Sequence, residues 1–226
     1  GGTYKKIKSL GYSCIEVSDY TKFPEILDGR VKTLHPKIHS GILYKRNKIL
    51  HEKTIKKLNF KSIDLVITNF YPFEKIINQT ENHEKIVENI DIGGPTLARS
   101  AAKNYRYVTV ITKISNYQKL VQELKSFKGG TSLTFRENMS KMAFGDTASY
   151  DLTIFNYFNK FSNEEVPKKL FVNKNLIQKL RYGENPHQIG AIYGDEEDFN
   201  LLKLQGKELS YNNYNDIFAC LSLAKT

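Results

Sequence analysis

The sequence predicts an α/β protein in which helices separate parallel strands and flank the sheet. Residues 63–68 and 107–112 are short, β-branched apolar runs of the kind that form buried strands. Helical patterns lie between and after these two runs, with glycine or proline near their ends. Parallel neighbours need a crossover connection, usually a helix, so these observations together favour a parallel sheet.

The other elements follow in order from local patterns. Helices are expected at residues 84–89, 95–103, 116–127 and 131–161. Outlying elements are a weak strand at 11–17, a strand at 191–193 and a helix from Asn215. The polar, proline-containing stretch 162–169 is typical of a linker. We therefore expect one domain over residues 1–165 and a second over residues 166–226.

The composition is that of an ordinary globular protein. The 226 residues are 40% hydrophobic and 26% charged, which excludes the disordered and membrane-spanning classes. A formal charge of +10 keeps nucleic-acid binding open as an alternative, although the lysines are scattered along the chain. The two cysteines form no CxxC pattern, so neither a disulfide framework nor a zinc site is expected. A reducing, cytoplasmic location is the simplest interpretation.

Ligands of a parallel α/β sheet bind beyond the carboxyl ends of its strands, and two basic segments are candidates for a phosphate. Gly2 and Thr3 stand with Gly1 before a Lys-rich helical stretch, where backbone N–H groups can hold an anion. Arg30 and Lys32 face the same side if their segment is extended, which makes a clamp for a phosphate. A solvated basic loop explains the same two residues equally well.

Histidines spaced four apart raise the question of a metal. His35 and His39 have this spacing, but Pro36 disfavours helical geometry at His35 and no HExxH pattern exists. No metal site is expected.

Two further segments carry polar groups at the expected ligand edge. Asn69 and Tyr71 directly follow the first predicted strand, where Tyr71 either covers the core or faces a ligand. Asp91 precedes Gly93 and Gly94, which let a ligand approach a helix N-terminus that stabilises negative charge.

The same predicted helix carries two cations on one face. Arg99 and Lys103 are four residues apart, so an anion or Asp91 is expected between them. The alternative is that Asp91 is only an N-terminal charge and both cations are exposed.

With these segments in view, the chain resembles the PurH family, in which an AICAR transformylase is joined to an IMP cyclohydrolase. The matching segments are GGT (1–3), VSDYT (17–21), FPE (23–25), DGRVKTLHPK (28–37), GIL (41–43), NFYPF (69–73), IDIGGPT (90–96) and AAKN (101–104). LRYGENPHQ (180–188) and GKELSYNN (206–213) are similar to the opening of the transformylase domain.

The resemblance implies a methylglyoxal-synthase-like sheet followed by a partial, cytidine-deaminase-like transformylase segment. It implies that FAICAR loses water to become IMP, with neither cofactor nor metal. Lys32, Lys103 and the Gly93–Gly94 terminus are then expected on the oxyanion side, and Lys103 is the expected proton-transfer group. Asp91 and Tyr71 are expected to relay protons or hold the carboxamide.

The remaining site residues also come from the resemblance. Thr3, Arg30 and Thr33, with the Gly2 turn, are expected at the 5′-phosphate. Thr68 and Asn69 are expected at the base or formyl group, and Ile92 beside the glycines. Arg181 and Tyr182 resemble the family's AICAR-contacting pair.

The resemblance also sets expectations about partners and completeness. It implies a homodimer with no membrane or nucleic-acid partner, and 10-formyltetrahydrofolate as co-substrate of the second activity. The chain lacks an initiator Met and ends in a helical pattern, so we expect a fragment without transformylase activity. A non-catalytic module that binds a phosphorylated ligand is the alternative function. Gly145-Asp146 departs from the family's usual Ala-His.

Overall fold

The computed structural model describes residues 2–162, 166, 168–194 and 204–224. Gly1 and part of the polar stretch predicted at 162–169 lie outside the described residues. The chain divides into two compact units, Gly1–Glu165 and Val166–Thr226, which are described separately.

The first unit alternates helices with two strands. Its elements are α1 (Gly2–Ser9), α2 (Val17–Thr21), α3 (Pro36–Leu43), α4 (Ile49–Lys57), β1 (Leu65–Ile67), α5 (Phe73–Gln79), α6 (His83–Glu88), α7 (Gly93–Lys103), β2 (Thr109–Ile111), α8 (Tyr117–Ser126) and α9 (Leu133–Asn159). The four predicted helices and both predicted apolar strands of this unit are confirmed, with ends that differ by no more than two residues.

The two strands pair in parallel, as the sequence predicts. Leu65 lies opposite Thr109 and Ile67 lies opposite Ile111, and the Thr68 N–H extends the ladder to the Ile111 carbonyl at 2.9 Å. Because the strands run in the same direction, their carboxyl ends meet at one edge of the sheet. Thr68 and Thr112 therefore begin the loops at that edge.

The main core lies where α7 and α9 pack on the strands. Ala98, Ala101 and Ala102 of α7 are fully buried, and these small side chains let α9 approach closely. Ser140 of α9 donates a hydrogen bond to the Ala102 carbonyl at 2.8 Å, so its buried hydroxyl is satisfied. The long helix α9 is thereby anchored to the helix that carries the glycine pair.

A second core is aromatic and lies under α5 and α6. Phe73, Tyr150 and Tyr157 are buried, and their rings pack edge to face with centroids about 6 Å apart. Phe70 joins them with its ring centroid 5.5 Å from that of Tyr150. We refer to these four residues as the aromatic cluster.

The weak strand predicted at 11–17 is wrong. Residues 12–16 have no regular structure and Val17 opens α2 instead. A strand is stabilised by its ladder, and within the described residues β1 and β2 pair only with each other in this unit.

The second unit is a small antiparallel ribbon and a helix. β3 (Asn175–Lys179) pairs antiparallel with β4 (Ala191–Gly194), and this confirms the strand predicted at 191–193. The final helix α10 (Tyr211–Ala224) begins four residues before the predicted Asn215. Ser210 and Asn213 explain the earlier start, because the Ser210 N–H and hydroxyl each lie 3.0 Å from Asn213 Oδ1, a capping arrangement. In the described residues no helix combines the length and apolarity that crossing a membrane requires.

Candidate functional site

Five polar or glycine residues meet where β1 ends and α7 begins. A Cβ atom added to Gly93 would lie 2.7 Å from Thr33 Oγ1, and one added to Gly94 would collide with the Asp91 carboxylate. The same added atom on Gly94 would lie 3.1 Å from Thr68 Oγ1. Only glycine fits such a close approach without displacing its neighbours. We call Thr33, Thr68, Asp91, Gly93 and Gly94 the α7 N-terminal cluster.

Asp91 holds the start of α7 in place. Its Oδ1 accepts a hydrogen bond from the Gly94 N–H at 2.9 Å, which satisfies one of the amides that a helix start leaves open. The carboxylate also lies at the positive end of the helix dipole. The expectation that Asp91 lies between Arg99 and Lys103 is therefore wrong, since its carboxylate binds the first turn.

Lys103 lies away from this cluster within the chain. It is the exposed last residue of α7, and at a rise of about 1.5 Å per residue the 11-residue helix separates its ends by about 15 Å. Lys103 and Gly93 lie in the same short helix, but its length keeps the two apart. The structure thus does not support Lys103 beside the Gly93–Gly94 terminus.

Lys32 is held by two carboxylates. Its ammonium lies 2.8 Å from Glu25 and 3.1 Å from Glu16, and its side chain is only 20% exposed. The hydrogen bond to Glu25 raises the pKa of Lys32 well above its ordinary value. Burial alone would lower this pKa, but the hydrogen bond to Glu16 also raises it. Lys32 is therefore a permanent cation at neutral pH and a donor of hydrogen bonds.

The loop around Arg30 is turned rather than extended. Leu27, Asp28 and Gly29 have positive φ angles of 50°, 54° and 88°. The predicted alternation of Arg30 and Lys32 along an extended segment is therefore wrong, because a turn does not place alternate side chains on one face. Arg30 instead forms an exposed ion pair with Glu88.

Gly2 and Thr3 lie exposed in the first turn of α1. Among the described residues no hydrogen bond joins either of them to the α7 N-terminal cluster. Gly1, the first residue of the predicted GGT turn, is outside the described residues. The structure leaves the predicted phosphate role of this segment as a prediction.

A cavity of about 470 Å³ opens at the carboxyl ends of both strands. No residue of the α7 N-terminal cluster lines it, but Tyr150 lines it and also contacts the Asp91 amide. Its polar lining includes Asn69, Tyr71, Thr112, Lys113, Asp146 and Tyr150. Tyr71 is 61% exposed, so it faces the opening rather than covering the core. Asn69 donates from Nδ2 to the Tyr117 hydroxyl at 2.8 Å, which fixes its amide.

The unusual Asp146 has a defined place in this lining. It accepts a hydrogen bond from the Thr112 hydroxyl at 2.6 Å and pairs with the Lys113 ammonium at 2.7 Å. Its carboxylate therefore joins α9 to the loop after β2.

His35 and His39 each have a polar partner of their own. His35 has extended backbone angles and caps α3, accepting the Lys37 N–H at its ring nitrogen, as Pro36 predicts. His39 Nδ1 lies 3.0 Å from the Ser100 hydroxyl. In the ranges that the structure describes, no three His, Cys, Asp or Glu side chains gather in a way that could hold a metal ion.

In the second unit Arg181 and Tyr182 hold each other. The Arg181 guanidinium lies over the Tyr182 ring at 4.8 Å and donates to its hydroxyl at 3.1 Å. A hydrogen bond from Ser210, followed by the Arg181 contacts, lowers the pKa of the Tyr182 hydroxyl. The pair predicted to contact AICAR is thus assembled side by side at the surface.

Several residues of the site were missed by reasoning from the sequence. Each is a partner of another residue, and the separations along the chain run from 7 residues to 59: Glu16 and Glu25 on Lys32, Glu88 on Arg30, Asp146 on Thr112, and Tyr150 on Asp91. Glu88 and Tyr150 are 58 and 59 residues from their partners, so no local spacing could have shown them.

Comparison with known proteins shows which protein families the chain matches. An MGS-like domain matches residues 1–96, and the family described as "AICARFT/IMPCHase bienzyme" matches residues 101–226. The bienzyme match begins within α7 and covers the second unit, so it crosses the division between the two units.

Curated relatives carry the description bifunctional purine biosynthesis protein PurH. The relatives from Dinoroseobacter shibae and Clostridioides difficile are 43% and 44% identical and cover 99% and 100% of this chain. A relative from Lactobacillus acidophilus is 46% identical over 96% of the chain. The chain spans less than half the length of these relatives, between 43% and 44%.

A solved structure is similar as well. The structure titled "Crystal structure of ForH" is 27% identical, with a TM-score of 0.61 over 70% of this chain and 83% of its own. The α/β fold, the family match over more than half of the residues and the relatives agree. The chain belongs to the AICARFT/IMPCHase bienzyme family.

Proposed function

We propose that this chain supplies the cyclohydrolase half of the family's chemistry, closing FAICAR to IMP with loss of water. The observation that carries the proposal is the α7 N-terminal cluster, in which Thr33, Thr68 and Asp91 surround two glycines at a helix start. Hydroxyl donors and the positive end of a helix suit an anionic nucleotide and a transient oxyanion.

The proposed orientation of the nucleotide follows the charges. The 5′-phosphate would lie toward Arg30 and Thr33, with Gly2 and Thr3 as further contacts. The base would lie toward Thr68, Ile92 and the cavity that Asn69 and Tyr71 line. Arg30 must exchange Glu88 for the ligand, which an exposed ion pair allows at small cost.

The proposed reaction needs no group beyond the substrate and the chain. The carboxamide nitrogen attacks the formyl carbon, a C–N bond forms and the formyl oxygen gains the electron pair. That oxygen takes up two protons, one lost by the attacking carboxamide nitrogen and one by the formamide nitrogen. Its bond to the former formyl carbon then breaks, water leaves, and the formamide nitrogen forms the C=N double bond of the ring. The raised pKa of Lys32 keeps its ammonium protonated. This supports the proposal that Lys32 stabilises the negative charge on this oxygen. Asp91 and Tyr71 are the proposed acceptors and carriers of protons.

The test is a spectrophotometric FAICAR-to-IMP assay on the whole chain. Asp91→Asn should lower turnover by on the order of 10²–10⁴ if Asp91 acts in proton transfer. Asp19→Asn, which removes an exposed carboxylate of α2, is the matched control and should keep full turnover. Equal rates for Asp91→Asn and Asp19→Asn would remove Asp91 from the proposed mechanism.

Lys103→Ala tests the expectation that Lys103 is the proton-transfer group. Its position about 15 Å from Gly93 predicts turnover within a few-fold of the unmodified chain. A loss of turnover on the order of 10²-fold or more, as expected for a proton-transfer group, would show that Lys103 does act at the reaction site.

One observation favours a second function, a non-catalytic module for a phosphorylated ligand. The groups that suit binding are assembled, whereas the expected proton-transfer residue Lys103 is remote. This alternative predicts that the folded chain binds IMP in a calorimetric titration and forms none from FAICAR.

The second activity of the family is proposed for the longer protein only. Arg181 and Tyr182 are then the AICAR-contacting pair, 10-formyltetrahydrofolate is the co-substrate and the protein is a homodimer. Because the chain spans less than half of its relatives, we expect no formylation of AICAR by it. Formylated product in a chromatographic assay with both substrates would contradict this expectation.

A further inference from the structure

Tyr150 is a buried tyrosine of the long helix α9. It is 9% exposed and packs within the aromatic cluster between Phe70 and Phe73. The ring centroids of Phe70 and Phe73 lie 5.5 Å and 6.2 Å from that of Tyr150, and this close packing restricts the phenol ring. The position of its hydroxyl is therefore set by the core.

That hydroxyl contacts the α7 N-terminal cluster directly. Tyr150 Oη accepts the Asp91 N–H at 2.7 Å, and Asp91 in turn accepts the Gly94 N–H at 2.9 Å. The two bonds form a relay from the aromatic core through Asp91 to the helix start. Since the Gly94 N–H is bonded to the Asp91 carboxylate, a displacement of Asp91 would reach the glycine pair.

Tyr150 also lines the cavity at the carboxyl ends of the strands, together with Tyr71 and Asp146. Its oxygen uses one acceptor position on Asp91, which leaves the hydroxyl proton for another partner. In the part of the chain that the structure describes, no acceptor takes that proton. Burial raises the pKa of the phenol, so the proton is present at neutral pH.

We propose that Tyr150 is a positioning residue that holds the Asp91 turn from within the core and couples it to a ligand in the adjacent cavity. The inference rests on the proposed function only in naming that ligand as the nucleotide. The contact to the Asp91 amide is independent of any activity.

Tyr150→Phe tests the proposal, because it removes the hydroxyl oxygen and leaves the packed ring in place. Tyr157→Phe is the matched control, because Tyr157 is also a buried tyrosine of α9 in the aromatic cluster and its hydroxyl lies 2.8 Å from His83 Nδ1 instead. Hydrogen exchange of the Asp91 amide, measured by NMR, should accelerate about 5- to 10-fold in Tyr150→Phe, as expected for one lost hydrogen bond. It should stay within twofold in Tyr157→Phe.

Titration with IMP provides the second arm. The dissociation constant for IMP should rise about 5- to 10-fold in Tyr150→Phe and stay unchanged in Tyr157→Phe, with similar melting temperatures for the two variants. Equal effects of both variants, or an effect of neither, would overturn the proposal. If the unmodified chain binds no IMP, the proposed function fails while the amide exchange still decides the role of Tyr150.

A measurement on the unmodified chain covers the case in which Tyr150→Phe does not fold. With ¹³C-labelled tyrosine, the ring signals of Tyr150 should shift on addition of IMP and those of Tyr157 should not. Unshifted Tyr150 signals at saturating IMP would overturn the coupling to the cavity.

Discussion

At the scale of single residues, carboxylates decide which cations can meet a ligand. Lys32 and Arg30 were expected to clamp a phosphate, yet Glu16, Glu25 and Glu88 already neutralise them. A bound anion would have to compete with these intramolecular partners. The competition is moderate for Glu25 and Glu88, because both are about half exposed and solvent screens their ion pairs.

Glu25→Gln should therefore strengthen the binding of IMP. Removing one competing carboxylate is expected to lower the dissociation constant about 2- to 5-fold at low salt, in keeping with a surface ion pair. Glu137→Gln, which removes an exposed acidic charge from α9, controls for net charge. Calorimetric titrations at low and moderate ionic strength would check both, and equal affinities would contradict competition at Lys32.

Gly94→Ala should disturb the site and the fold together. The added methyl group would meet the Asp91 carboxylate and Thr68 Oγ1, so the free energy of unfolding should fall by about 1–3 kcal/mol. Urea denaturation followed by circular dichroism measures this fall.

Gly145→Ala is the matched control for that substitution. Gly145 lies in α9 with open space around its Cα, and alanine is the better helix former. It should raise the free energy of unfolding by about 0.5–1 kcal/mol. Similar destabilisation by both variants would contradict the close packing described for Gly94.

At the scale of elements, α7 connects the candidate site to the core. Its first turn carries the cluster, its middle is buried by alanines, and Asn104 at its C-cap is 8% exposed. Asn104 Nδ2 donates to the carbonyls of Ile42 and Tyr44 at 2.7 Å and 3.0 Å, where α3 ends. One amide thus satisfies two carbonyls at the end of another helix.

Asn104→Ala should cost about 2–4 kcal/mol of unfolding free energy, because it leaves these two carbonyls without their donor. Asn89→Ala removes a comparable amide at the exposed end of α6, where Nδ2 donates to Lys85, and should change stability by less than about 0.5 kcal/mol. Chemical denaturation of both variants checks the difference. A loss below about 1 kcal/mol for Asn104→Ala would show that water replaces the amide.

At the scale of the whole molecule, the stability of the first unit should depend on pH through His39. Burial lowers the pKa of His39, against a smaller opposing effect of the Thr33 backbone. As the pH falls, His39 is therefore protonated in the unfolded chain at a higher pH than in the folded chain. The contribution of His39 to stability is therefore fully present above its unfolded pKa, near about 6.5, and is lost as the pH falls through the lower folded value.

His39→Gln should accordingly reduce the fall in melting temperature between pH 7.5 and pH 5.5. Calorimetric scans at the two pH values provide the measurement. An unchanged pH dependence in His39→Gln would contradict the assignment.

The net charge of +10 also belongs to the scale of the whole molecule. Scattered lysines predict weak nucleic-acid binding that disappears between low and moderate salt, whereas a built anion site would retain IMP. The start of α7 is the place in the described geometry that suits such an anion site.

Local patterns in the sequence determined the elements that bury a regular face. The β-branched runs around Val66 and Val110 and the glycine-bounded helices α7 and α8 follow from periodicity and end signals alone. The motif around Asp91 and Gly93 also marked a helix start, although α7 begins at Gly93, two residues before the predicted residue 95. Residues 12–16 were predicted wrongly because a strand needs a partner, and pairing is not a local property.

Only the tertiary structure decided how the candidate site is assembled. The helix rise places Lys103 about 15 Å from Gly93, although both lie on the same short helix. Tyr150 reaches Asp91 across 59 residues, and Glu16, Glu25 and Glu88 neutralise the cations that the sequence offered to a phosphate. The physical reason is that hydrogen bonds and ion pairs depend on distance in space, and packing of α9 on α7 and the strands sets those distances. The sequence by itself determined which residue types were present at the strand ends, and the fold determined which of them meet.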